Sequence, residues 1–100
     1  MAAASSAIDG DSSNAPILAA AREGRLAEVE LLLSRGANIH DKDNHGNTSI
    51  LLASSQGHLS IVELLISMRA NINDKNIYGD TPILLASFYG HLSIVELLIS

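Results

Sequence analysis

Cysteine is absent from this chain, so any reactive chemistry falls to histidines, carboxylates and hydroxyls. A metal site is the first reading to weigh. His40 and His45 share a polar stretch with Asp41 and Asp43, but their spacing meets no ligand convention, and loop acids of this kind are solvated. The stretches DKDNHG and DKNIYG carry acids without the twelve-residue pattern of a calcium loop. His58 and His91 each follow a glycine, which points to capping or bridging of a turn. No serine sits in a nucleophile elbow, and no glycine run is built to cradle a phosphate. Glu28 and Glu30 lie on a charged helix side and are expected to face solvent. The residues therefore predict no catalytic site, no metal and no cofactor. Asn47-Thr48-Ser49 fits the N-glycosylation pattern, but nothing routes the chain to the secretory pathway, so the match reads as chance.

Composition narrows the partners. Six basic against eleven acidic residues give a net charge of −5, the wrong sign for tracking phosphates along a nucleic acid. The longest apolar run, Ile17 to Ala21, is far short of the roughly 18 residues of a membrane span. Aromatics are only 3% of the chain, so the core must be aliphatic. Residues 1–13 are rich in Ala, Ser, Asp and Gly and without period, which predicts a disordered tail. They lack the basic start and apolar stretch of a secretory signal, and Ala2 stands where myristoylation needs glycine. These features predict a reducing compartment, the cytoplasm, with the nucleus also compatible.

The elements that must position any site emerge from an internal repeat. Asn47 to Ser67 reads NTSILLASSQGHLSIVELLIS, and Asp80 to Ser100 reads DTPILLASFYGHLSIVELLIS, thirty-three positions further on. Asn14 to Ser34, NAPILAAAREGRLAEVELLLS, is a more diverged copy. The connectors RGANIHDKDNHG and MRANINDKNIYG match as well. Units are thus expected at about 14–46, 47–79 and 80–100, the last incomplete. Within a unit, Thr81-Pro82 opens a short apolar helix that ends before Gly90. A second helix follows, expected to start on a Ser93-x-x-Glu96 capping box. An Asn/Asp/Gly-rich loop then turns the chain. Helices this short and apolar are marginal alone, so the units must bury one another in a stack.

The period, TPIL, ASFYGHLSIVELLI and the RGANI and RANIN connectors together resemble the ankyrin repeat, over Asn14 to Ser100. The resemblance implies an all-α fold, an α-solenoid of antiparallel helix pairs with hairpin-like loops projecting sideways as fingers. It also implies a non-enzymatic role, binding another protein through finger tips and first-helix faces. The other reading is an N-terminal targeting or autoregulatory segment of a longer enzyme or channel. Some positions depart from the family pattern. Leu18, Leu51 and Leu84 stand where the family places the histidine of Thr-Pro-Leu-His. Ser49 replaces the proline kept at Pro16 and Pro82. Arg69 stands where Gly36 suits a left-handed helix stop, which predicts a less regular middle unit.

Candidate contact residues are those that differ between copies. In the finger tips these include Asn44, His45, Ile77 and Tyr78. At the helices they are Asn47 and Asp80, Ser55 and Phe88, and Gln56 and Tyr89. All three aromatics fall in this set, and such side chains commonly dominate interface energy. Tyr78 and Tyr89 are expected to meet a partner. Phe88 either joins them or packs under a neighbouring finger or a following repeat. Asn73, in ANIN, is similar to asparagines hydroxylated by an asparaginyl hydroxylase in this family, and an ordinary loop asparagine is the competing reading. Ile94, Val95, Leu97 and Leu98 are as apolar as their internal counterparts. The chain is therefore expected to be a fragment, or to have this end covered, with self-association through the uncapped last helix.

Overall fold

The computed structural model describes residues 15–100, so the tail expected over residues 1–13 lies outside the described residues. Six helices follow in order: α1 (Pro16–Glu23), α2 (Leu26–Ser34), α3 (Ser49–Gln56), α4 (Leu59–Ser67), α5 (Pro82–Phe88) and α6 (Leu92–Ile99). No strand occurs among the described residues. Each unit is an antiparallel helix pair, and the pairs stack so that α1, α3 and α5 form one layer against one another. That layer is close-packed because its contact positions are small: Ala20, Ala21, Ala53 and Ala86 are fully buried. Ile17, Leu18, Ile50, Leu51, Val29, Ile61, Val62, Leu65 and Ile94 fill the rest of an entirely aliphatic core.

Starts and stops follow local chemistry. Pro16 and Pro82 occupy the first turns of α1 and α5, and Thr81 caps α5 by accepting the Leu84 N–H on its Oγ1 at 3.4 Å. Thr48 has the same extended backbone, yet its hydroxyl makes no capping bond and is buried without a partner among the described residues. Gly24 and Gly57 end α1 and α3 in the left-handed conformation, at φ 79° and 82°. The chain then closes back, as Arg25, His58 and His91 donate their N–H groups to the carbonyls of Ala20, Ala53 and Ala86.

Two expectations need correction. The Ser93-x-x-Glu96 capping box does not form: α6 starts at Leu92, His91 is its N-cap residue, and no side chain caps it. The glycine turn sets the entry one residue earlier than the Ser/Glu spacing implies, leaving Ser93 exposed inside the first turn. Nor is the helix stop of the middle unit irregular. Arg69 takes the left-handed conformation at φ 70°. Ala70 N–H then reaches Leu65 O at 2.9 Å, as Ala37 N–H reaches Leu32 O at 3.0 Å beside Gly36. The same turn hydrogen bonds thus form with arginine as with glycine, and the arginine carries the strain.

Candidate protein-binding surface

The fingers are built by short polar side chains that fold back on the loop backbone. The Asp43 carboxylate accepts the N–H groups of His45 and Asn47, each at 2.9 Å. One unit later, Asn76 Oδ1 accepts those of Tyr78 and Asp80, at 2.9 and 3.0 Å. Adjacent fingers are then joined side by side. Asn76 Nδ2 donates to Asn47 Oδ1 at 3.0 Å, and the Ile77 N–H donates to His45 O at 2.9 Å. At the tip, Tyr78 Oη and His45 Nδ1 are 3.1 Å apart with the rings stacked at 6.0 Å. Arg22 reaches the base of the first finger, with its guanidinium 4.0 Å from the Asp43 carboxylate.

The sequence candidates separate into two clusters and a supporting set. Asn44, His45, Ile77 and Tyr78 are exposed at the tips, Ile77 at 67% and Tyr78 at 66%. Phe88 and Tyr89 close the end of α5, edge to face with centroids 4.9 Å apart and planes at 88°. No finger covers Phe88, which is 79% exposed, and Tyr89 is 56% exposed. Gln56 is exposed at the same position of α3 as Tyr89 holds after α5. Asn47, Ser55 and Asp80 are partly buried. Asn47 ties the two fingers together, and the Ser55 hydroxyl donates to Leu52 O at 2.9 Å. Asn73 is exposed, and its N–H donates to Asn71 Oδ1 at 2.9 Å, the same local turn as His40 on Asn38.

The side chains of the turn histidines do not cap or bridge their own turns. His58 Nε2 lies 2.9 Å from the carbonyl oxygen of Arg22, and His91 Nε2 lies 3.0 Å from that of Ser55. Each ring thus reaches back one unit and clasps the carbonyl end of the preceding first helix. The ring lies on the preceding glycine: a Cβ added at Gly24 or Gly57 would sit 2.7 Å from it. A signal for this was in the sequence. Histidine follows the glycine in the second and third units, while Arg25 stands there in the first. Arg25 instead pairs with Glu23 and Glu28, and its pKa is raised above the ordinary arginine value, first by the Glu23 hydrogen bond and then by both charges.

A family model described as ankyrin repeats in three copies matches residues 17–100, and the chain belongs to that family. Ankyrin repeats are generally protein–protein interaction modules. A comparison with curated proteins gives no match.

Proposed function

We propose that this chain is a non-catalytic module that binds a partner protein through its finger tips and the exposed ends of its first helices. The observation that carries the reading is the placement of the aromatics. The core is aliphatic throughout, while Tyr78, Phe88 and Tyr89 all stand more than half exposed. Exposed aromatics in a chain that needs none for folding offer rigid contact area to something else. The fingers supply the rigidity: their tips are held by side chain–backbone bonds and joined across units, so little order has to be gained on binding. The contact set is Tyr78, Ile77, His45 and Asn44 at the tips, with Phe88, Tyr89 and Gln56 at the helix ends.

The test is capture of a partner from an extract of the source cells, comparing wild type with Tyr78→Ala plus Tyr89→Ala. Both side chains are exposed, so the variant should fold and melt within about 0.5 kcal/mol of wild type. Loss of at least tenfold in partner recovery is the expected result, and undiminished recovery overturns the assignment.

A further inference from the structure

The end of α1 carries a cation that the other first helices lack. Arg22 is the only lysine or arginine in α1, α3, α5 or the two finger tips, and its counterparts one and two units on are Ser55 and Phe88. Its ion pair with Asp43 is lopsided. The two groups are 4.0 Å apart, and the Arg22 side chain is 46% exposed while that of Asp43 is 10% exposed. That separation is too long for a hydrogen bond. The Asp43 carboxylate is already occupied, by the N–H groups of His45 and Asn47 at 2.9 Å and by the Asn47 side-chain amide at 3.3 Å. Solvent therefore meets the guanidinium, while its counter-ion is folded into the finger. The backbone of Arg22 is fixed, because its carbonyl oxygen is the one that His58 Nε2 reaches at 2.9 Å. Openness at the neighbouring tips belongs to the tips themselves. Asn44 and His45 stay exposed although the second finger is joined to the first, and their counterparts Ile77 and Tyr78 are open in the same way.

We infer that this face recognises an acidic segment of the partner protein, its carboxylate on Arg22 and an adjoining apolar side chain on Ile77 and Tyr78; the inference rests on the protein-binding reading above. A guanidinium presents N–H donors in a fork that matches a carboxylate, and Asp43 at 4.0 Å leaves those donors available. The path to the tip is continuous, since Asp43 faces Arg22 through Oδ2 and holds the His45 N–H through Oδ1. Tyr78 Oη and His45 Nδ1 share one hydrogen bond, and in either tautomer the pair keeps one further N–H or O–H to donate. Other acids of the face do not cancel this. Glu23 is held by Arg25, and Asp80 is partly buried in the third unit. Charges beyond about 8 Å are screened at physiological salt, so the net charge of −5 does not decide what binds at Arg22.

The test is selection of random peptides displayed on phage against the full chain and against Arg22→Glu. The wild-type chain should enrich Asp or Glu at one position beside an apolar residue. Arg22→Glu should lose that enrichment and favour Lys or Arg there instead. For a selected peptide, Arg22→Gln should weaken binding about fivefold, and replacing the peptide's acid by its amide should do the same. Both changes together should weaken it no further. The peptide-side change leaves the protein untouched, so it reads the contact independently of folding. Selected peptides without an acid, an excess of basic residues on the wild-type chain, equal binding by Arg22→Gln, or no enrichment over bare matrix overturns the inference. If it fails while Tyr78→Ala plus Tyr89→Ala still loses the captured partner, the binding reading stands without it. If that double variant loses nothing, the binding reading itself falls.

Discussion

Glycines with nearly the same backbone differ in what a methyl group would cost them. Gly57 and Gly90 sit at φ 82° and 79°, but only Gly57 lies under a histidine ring. Gly90→Ala should therefore cost about 1 kcal/mol, the left-handed strain alone. Gly57→Ala should cost about 2–3 kcal/mol, because the His91 ring must also leave its carbonyl. That extra cost is bounded by what the clasp is worth, about 1–2 kcal/mol for a partly buried hydrogen bond with its packing. In a His91→Ala background, Gly57→Ala should accordingly fall back to about 1 kcal/mol. Urea denaturation of the four proteins measures this coupling directly. Arg69 offers the converse case: Arg69→Gly removes the strain at φ 70° and should stabilise by about 1 kcal/mol in the same assay. Sequence alone exposed the Arg69 mismatch, since Gly36 marks the register. It did not reveal how the chain resolves it, because surrounding contacts fix that backbone.

At the level of single helices, α3 is the least well finished of the three first helices. Thr48, Ser49 and Ser54 bury hydroxyls that find no partner among the described residues, and a buried polar group left unpaired is destabilising. Ser49 takes the first-turn position that Pro16 and Pro82 fill in α1 and α5. Thr48 is already extended, at φ −90° and ψ 174°, the conformation a following proline requires. Ser49→Pro should therefore raise stability by about 1 kcal/mol, seen as a higher thermal midpoint with an unchanged far-UV spectrum. The opposite result would mean that the Ser49 N–H or hydroxyl serves a role these contacts do not show. Helix positions were legible from apolar runs, glycines and prolines. The entry of α6 was not, because the Gly-His closure outranks the Ser93/Glu96 spacing.

Across the whole stack, the same residue has different worth depending on whether another unit lies over it. Leu51 and Leu84 occupy one register, yet Leu51 is 0% exposed under the third unit and Leu84 is 52% exposed. Leu51→Ala should cost about 2–5 kcal/mol, the range for emptying a core position. Leu84→Ala should stay within about 1 kcal/mol, and thermal melts of the two variants check the contrast. Equal losses would mean that something covers Leu84 in solution. Phe88, Leu92 and Ile99 are exposed as well, so the chain presents apolar surface at the third unit that its two internal interfaces have no counterpart for.

The sequence by itself determined the period, the helix pairs, the polar fingers and the aliphatic core, because each is a local pattern repeated with few changes. It also singled out the aromatic positions, since Phe88 and Tyr89 replace polar residues in an otherwise near-identical copy. Only the tertiary structure decided that His58 and His91 clasp the preceding unit and that Asn47 ties the fingers together. Those outcomes depend on distances between residues twenty-nine to thirty-six positions apart in sequence, which stacking sets and no local pattern records.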